Sequence, residues 1–138
     1  MEVTSINNGI IIDHVPAGCA LQVLEYIKIN PRVSKIALIM NTTSKRMGEK
    51  DIIKIENIHD INLEALGLIA PNATVDIVEN NQIVEKRTPT MPQKVVDIIQ
   101  CANPRCITTS EHSIVQQFYL DTNHHEYRCE YCDETASL

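Results

Sequence analysis

The sequence contains no tryptophan, a single phenylalanine and only four glycines in 138 residues. With so few glycines there is no Walker-type or Rossmann-type loop, because such loops need glycines to bring backbone amides close to phosphate. The shortage of aromatics leaves isoleucine and valine to build the core, and β-branched residues favour strands. The sequence shows no run of 18 apolar residues and no basic-then-apolar stretch. The expectation is therefore a protein without a membrane span or signal segment, working in the cytoplasm. No constellation of nucleophile, base and oxyanion donors emerges, so the chain reads as a non-enzyme.

What the sequence does have is a concentration of cysteine at one end. Cys101 and Cys106 form one close pair, Cys129 and Cys132 a second, with 22 residues between the pairs. This is the spacing of a structural zinc site: two tight turns aim their sulfurs inward and the chain between them folds back as a hairpin. Four thiolates saturate Zn²⁺ and leave no open position for water, so one structural and non-catalytic Zn²⁺ per chain is expected. Disulfides would suit an oxidising compartment, for which there is no sign. A redox Cys-x-x-Cys usually opens a helix beside a βαβ unit, whereas Cys129 follows a strand-like run. Of the remaining candidates, Cys19 reads as a buried small hydrophobe, and His124-His125 as a solvent-facing turn. From Cys101 onward there are 38 residues, with Ile107, Ile114, Val115, Phe118, Tyr119, Leu120 and Tyr127 as the apolar content. A module this small seldom sustains its own core. A structural zinc contributes roughly 10–16 kcal/mol in peptide systems, so this part is expected to unfold without metal.

Charge narrows the choice of partners. Residues 101–138 carry two basic against six acidic residues, and four thiolates on Zn²⁺ would add further negative charge. Phosphate backbones are bound by clustered Lys and Arg. Binding to nucleic acid is therefore disfavoured, although a stand-alone zinc-ribbon adaptor for nucleic acid or transcription machinery is the main alternative.

The first part reads as alternating elements. Val3 to Ile12 suggests a strand, interrupted at Asn7-Asn8-Gly9 and stopped at Pro16. A helical face follows through Ala17, Ala20, Leu21, Leu24, Ile27 and Lys28, ended by Asn30-Pro31. Ser34 to Asn41 has strand length and Asn41 to Gly48 reads as a polar loop. Asp51 to Glu56 alternates, with Ile53 and Ile55 on one face and Lys54 and Glu56 on the other. Asp60 is the expected N-cap of a short helix carrying Leu63, Leu66 and Ile69, ended at Pro71. Thr74 to Val78 and Gln82 to Arg87 form a hairpin about Asn80-Asn81. The order β-α-β-β-α-β-β is that of an α+β ferredoxin-like sandwich, one antiparallel-rich sheet backed by two helices. Thr88 to Pro92 reads as a linker, and Gln93 to Gln100 is compatible with helix or strand. The expected division is 1–92 and 93–138, the second being a small all-β domain of zinc-ribbon or rubredoxin-like type.

Asp13-His14, at a strand end before a helix, is either a ligand-contacting pair or a turn cap with a satisfied histidine. Lys54 and Lys86 are either ordinary solvated lysines or, with Asp13 and His14, a shallow anion site on the open sheet face. There Asp13 would suit ribose hydroxyls and the lysines phosphates. A small nucleotide-binding enzyme using His14 as a base is a more distant alternative.

Several stretches together resemble the regulatory chain of aspartate carbamoyltransferase. They are Ile12-Asp13-His14-Val15-Pro16-Ala17, Met47-Gly48-Glu49-Lys50-Asp51-Ile52-Ile53-Lys54-Ile55-Glu56-Asn57 and Ala70-Pro71-Asn72-Ala73-Thr74-Val75. The last is Cys101-Ala102-Asn103-Pro104-Arg105-Cys106-Ile107-Thr108 with Cys129-Glu130-Tyr131-Cys132. The four-residue gap of the first cysteine pair differs from the two-residue gap of generic zinc ribbons. The resemblance implies a non-catalytic subunit for allosteric control of pyrimidine biosynthesis. Its N-terminal domain would bind nucleoside triphosphates and pair into regulatory dimers. Its zinc domain would dock on catalytic trimers. CTP, with UTP, would inhibit and ATP activate. By motif position, Asp13 and His14 would hold ribose and phosphate, Lys54 the base and ribose region, and Lys86 the triphosphate. Val3, Ile6 and Ile83 would border the base. Asn103, Arg105 and Glu111 would contact the catalytic chain. Asn81 stands where some relatives carry a tyrosine, and Arg105 where a small polar residue is common.

Overall fold

The computed structural model describes residues 6–137, so the expectation for Val3 lies outside the described residues. The chain divides into two compact units, Met1–Thr90 and Met91–Leu138.

In the first unit, five strands form one antiparallel sheet: β1 (Gly9–Pro16), β2 (Ile36–Ser44), β3 (Gly48–Glu56), β4 (Thr74–Glu79) and β5 (Gln82–Arg87), ordered β2-β3-β1-β4-β5. The first four have the ferredoxin-like arrangement, and β5 extends the β4 edge as a hairpin. Asn80 and Asn81 both adopt positive φ (51° and 66°) at its turn, as a two-residue hairpin with right-handed strand twist requires. Period-2 alternation sends Ile10, Ile12, Ile53, Ile55 and Val75 into the core, none more than 1% exposed. The helices α1 (Ala20–Tyr26) and α2 (Leu63–Ile69) cover that face with Ala20, Val23, Leu24, Ala65 and Leu66.

Several local expectations are corrected. Among the described residues the strand starts at Gly9 and continues to Pro16. Gly9 has φ 149° and a Cβ there would meet the Ile55 carbonyl oxygen at 2.1 Å, so only glycine allows this approach. Helix α1 begins after Cys19, which leaves Leu21 62% exposed, and Val23 takes the buried position assigned to it. The expected loop Asn41–Gly48 is the outer half of a long hairpin, because β2 runs to Ser44 and β3 begins at Gly48. Asn62, not Asp60, caps α2, accepting hydrogen bonds from the Glu64 and Ala65 amides at 3.1 Å each. Half of the expected linker is packed: Pro89 is buried, and a Cβ on Gly67 of α2 would meet the Thr90 carbonyl at 2.4 Å.

The second unit has a three-stranded sheet, β6 (Lys94–Val96), β7 (Gln117–Asp121) and β8 (Glu126–Cys129), ordered β6-β7-β8. The ambiguous stretch before Cys101 thus begins as a strand, and it supplies Val95 and Ile99 to a core shared with Phe118 and Tyr127. Ile107 and Val115, counted above as apolar content, are 49% and 40% exposed. A four-residue helical turn, α3 (Ile107–Ser110), follows the first cysteine pair. Among the described residues, no helix is long and apolar enough to cross a membrane.

Candidate functional sites: a cysteine cluster and an open sheet face

Cys129 ends strand β8 and Cys132 lies in the turn after it, while Cys101 and Cys106 bracket a turn held by Asn103, whose carbonyl accepts from the Cys106 amide at 3.1 Å. All four sulfurs lie within 4.8 Å of one another, with Cys101 and Cys132 3.5 Å apart and Cys106 and Cys129 3.8 Å apart. A disulfide would need about 2.0 Å, and all four are free thiols. A tetrahedron of sulfurs around Zn²⁺, with Zn–S of about 2.3 Å, has edges of about 3.8 Å. The donor set therefore fits a closed, thiolate-bound ion. Burial, and hydrogen bonding and charge from the neighbouring cysteines, push the Cys101 thiol up to about 12. The Thr108 hydroxyl, 3.1 Å from the Cys106 sulfur, draws that thiol down to about 7. Packed together, these groups cannot all ionise unless a cation offsets their charge.

The other site lies on the sheet face opposite the helices. Strand β1 carries an irregularity between Ile12 and Val15, and His14 there has φ 59°. A bulge of this kind re-aims side chains. The His14 ring nitrogen Nδ1 shares a hydrogen bond with the Thr74 hydroxyl at 3.1 Å. Asp13 Oδ1 accepts from the His14 amide at 2.6 Å and from Lys50 Nζ at 2.9 Å. Burial alone would raise the Asp13 pKa, but the Lys50 hydrogen bond, the His14 amide and the local positive charge hold it below the ordinary carboxylate value. Lys50 was not singled out in the sequence. Its pairing follows from the strand register, which sets Pro16 opposite Lys50 and Val15 opposite Asp51.

Register also brings together residues distant in sequence. Ala37 pairs with Lys54, Lys54 with Ile11, Ile11 with Asp76, and Asp76 with Lys86. These five form one row across the open face. Lys54 and Lys86 sit three strand steps apart, roughly 14 Å at about 4.8 Å per step. At the Lys86 end an open cleft of ≈ 370 Å³ is lined by Asp13, His14, Thr74, Asp76, Lys86, Arg87 and Thr88. At the Lys54 end a smaller hollow of ≈ 240 Å³ is lined by Ile6, Lys35, Ile36, Ala37, Lys54 and Glu56. Ile83 is half exposed beside Val78 near the hairpin tip and lines neither hollow. Arg87 is held by Glu85 at 2.9 Å and Asp60 at 3.4 Å.

Comparison with known proteins bears on both sites. Residues 1–90 match the allosteric domain of the aspartate carbamoyltransferase regulatory chain, and residues 93–138 match its metal-binding domain. This chain belongs to the aspartate carbamoyltransferase regulatory chain family. The regulatory chain of Bifidobacterium longum is 60% identical over 139 residues, covering 100% of both chains. That of Clostridium botulinum is 46% identical over 138 residues, covering 99% of this chain and 94% of the relative. That of Clostridium acetobutylicum is 46% identical over 135 residues, covering 97% and 92%.

The regulatory-chain family thus assigns an allosteric domain to the unit with the open face, and a metal-binding domain to the unit with the cysteines. Within the latter, Asn103 is committed locally: its side-chain oxygen accepts from the Arg105 amide at 3.0 Å, and its carbonyl from the Thr109 hydroxyl at 2.6 Å. Arg105 and Glu111 are exposed on the same loop. His124 lies on the β7–β8 turn, 2.9 Å from Asp121 Oδ2 and outside the cysteine cluster.

Proposed function

We propose that this chain is the non-catalytic, effector-sensing arm of a cytoplasmic aspartate carbamoyltransferase. It binds nucleoside triphosphates on the open face of its first unit and docks on catalytic trimers through its second. Asp13, His14, Lys54 and Lys86 form the nucleotide site, bordered by Val3, Ile6 and Ile83. CTP and UTP favour the low-activity state and ATP the active one. Cys101, Cys106, Cys129 and Cys132 hold one structural Zn²⁺. When bound, the ion supplies charge compensation and a rigid tetrahedral tie, and no chemistry on substrate.

The observation that carries this reading is the row from Lys54 to Lys86. It joins a mostly apolar hollow suited to a base with a cleft carrying cationic groups suited to a polyphosphate. A nucleoside triphosphate spans such a row, and a nucleobase alone does not. Docking through Asn103, Arg105 and Glu111 is supported by exposed Ile107 on the same segment. Among the described residues β2 lies at one edge of the sheet, and a sheet edge is a template for pairing two copies into a regulatory dimer. An effector can act only through its differential affinity for two states of the assembly, typically about 1–3 kcal/mol of coupling.

The test is calorimetric titration of CTP and ATP into the zinc-loaded chain and into Lys86→Ala. The wild-type chain should bind both, and the variant should lose roughly a factor of ten, as expected when a charge-assisted contact is removed. Equal affinity in the two proteins would place the triphosphate elsewhere.

A further inference from the structure

The turn that carries Cys129 and Cys132 is closed by groups that are not metal ligands. The residue after Cys132 is Asp133, whose φ of 66° lies in the left-handed region. Glycine is the least strained residue there, with asparagine and aspartate next. The Asp133 amide donates to the Cys129 carbonyl at 2.9 Å and so completes the turn. Two side chains from the sheet then hold Asp133 in place. The Tyr119 hydroxyl of β7 donates to Asp133 Oδ1, and Arg128 of β8 donates from Nη1 to the Asp133 carbonyl at 3.1 Å. Arg128 also donates from Nε to Asp121 Oδ2 at 3.0 Å and from Nη2 to Glu126 Oε2 at 3.1 Å. All three guanidinium nitrogens are engaged, on β7, on β8 and on the turn. Beyond Asp133 the chain runs back along β8. The Cys129 amide donates to the Glu134 carbonyl at 3.0 Å, and the Ala136 amide to the Tyr127 carbonyl at 2.8 Å.

A closed site of four thiolates has no vacant position, so a chelator reaches the ion only after one cysteine turn opens. Opening the second turn moves Asp133 away from Cys129 and breaks its contacts with Tyr119 and Arg128. We infer that Arg128, Tyr119 and Asp133 form a latch that keeps this turn shut and sets how slowly the ion is released. Arg128 and Tyr119 are positioning residues, acting on the sulfurs only through the turn. Lysine cannot replace Arg128, because a single point charge lacks the planar fork that spans three acceptors. Slow release keeps the metal-tied unit folded where free zinc is scarce. The inference rests on the metal reading of the cysteine cluster.

The experiment measures how fast the full zinc-loaded chain gives up its ion to excess chelator. It compares wild type with Arg128→Lys, Tyr119→Phe, Asp133→Asn and Asp133→Ala. Arg128→Lys should release the ion about tenfold faster, the scale on which groups that orient metal ligands act, and Tyr119→Phe should be faster than wild type by a smaller factor. Asp133→Ala should be at least as fast as Arg128→Lys. Asp133→Asn keeps the acceptor oxygen and tolerates the left-handed backbone, so it should release at close to the wild-type rate. Cobalt-loaded forms of all five should show the same tetrahedral, thiolate-bound spectrum, since the ligands are intact. In zinc-loaded Arg128→Lys the Cys129 and Ala136 amides should lose hydrogen-exchange protection while β6 and β7 keep theirs, as a local opening requires. Equal release rates across the set would overturn the latch. So would loss of protection throughout the unit, which would make these ordinary fold contacts. A wild-type chain that holds no ion removes the metal reading itself, and the inference with it.

Discussion

The larger unit closes its core with aliphatic side chains: Ile10, Ile12, Val15, Val23, Ile53, Ile55 and Leu66 are completely buried. The smaller unit buries Val95, Ile99, Phe118 and Tyr127, together with Cys106 and Cys129 of the sulfur cluster. One unit buries a full layer of aliphatic side chains; the other has a few large residues and a cluster of four sulfurs within 4.8 Å of one another. A core of aliphatic groups degrades gradually as methyl groups are removed. A metal-tied core is close to all-or-none, because ion binding free energy is folding free energy. The contrast suits the proposed division of labour, in which a sheet face binds exchangeable effectors and a rigid tie holds the partner.

The most damaging change should be removal of the ion or a ligand. Chelation, or Cys129→Ser, should erase amide hydrogen-exchange protection across 93–137 while β1–β4 remain protected. Loss of protection in both units together would mean that the larger core is not self-sufficient. Next, Ile53→Ala should destabilise the larger unit by about 2–5 kcal/mol, measured by denaturant unfolding, and leave the metal stoichiometry unchanged.

Asp51 offers a third way to sharpen the comparison, because it is a charge inside the aliphatic unit. It is fully buried, with Oδ2 accepting from the Gly18 and Ala20 amides at 2.9 and 3.0 Å and Oδ1 from the Asn41 amide at 2.7 Å. These bonds tie the start of α1 to the irregularity in β2. Asp51→Ala leaves the buried Ala20 amide unpaired and removes the acceptor of the partly buried Gly18 and Asn41 amides, and should cost about 1–3 kcal/mol, again by denaturant unfolding.

The smallest effect is set by pH. The Asp13 pKa is lowered in the folded chain, so the Asp13–Lys50 pair stabilises fully above the unfolded carboxylate value of about 3.9. That contribution is lost as pH falls through the lower folded value. Acid unfolding of wild type and Asp13→Asn should therefore converge at the lowest pH and separate above it. Parallel curves at every pH would show that the pair contributes nothing.

Legibility in the sequence followed the range of the interactions. The cysteine spacing and the Asn80-Asn81 turn are set within a few residues, and both could be read directly. The outer half of the β2–β3 hairpin was hidden because its residues, from Asn41 to Gly48, are polar and largely exposed, so no apolar alternation marks them. Asp51 had a usable signal: Asp51, Ile53 and Ile55 share one face, which placed a carboxylate in the core. The Lys54–Ile11–Asp76–Lys86 row had none, since it depends on the registers of three strand pairs. Asp and Asn cap helices about equally well, so residue type does not separate Asp60 from Asn62, and in the structure Asp60 lies 3.4 Å from Arg87 instead.

The most direct test of the account is the aspartate saturation curve of the cognate catalytic trimer, measured with and without the zinc-loaded chain, and with CTP or ATP added. The account predicts that the chain reshapes the curve, that CTP shifts it to higher aspartate and ATP to lower, and that metal-stripped chain does neither. A curve that stays the same with the chain and both nucleotides present would contradict it.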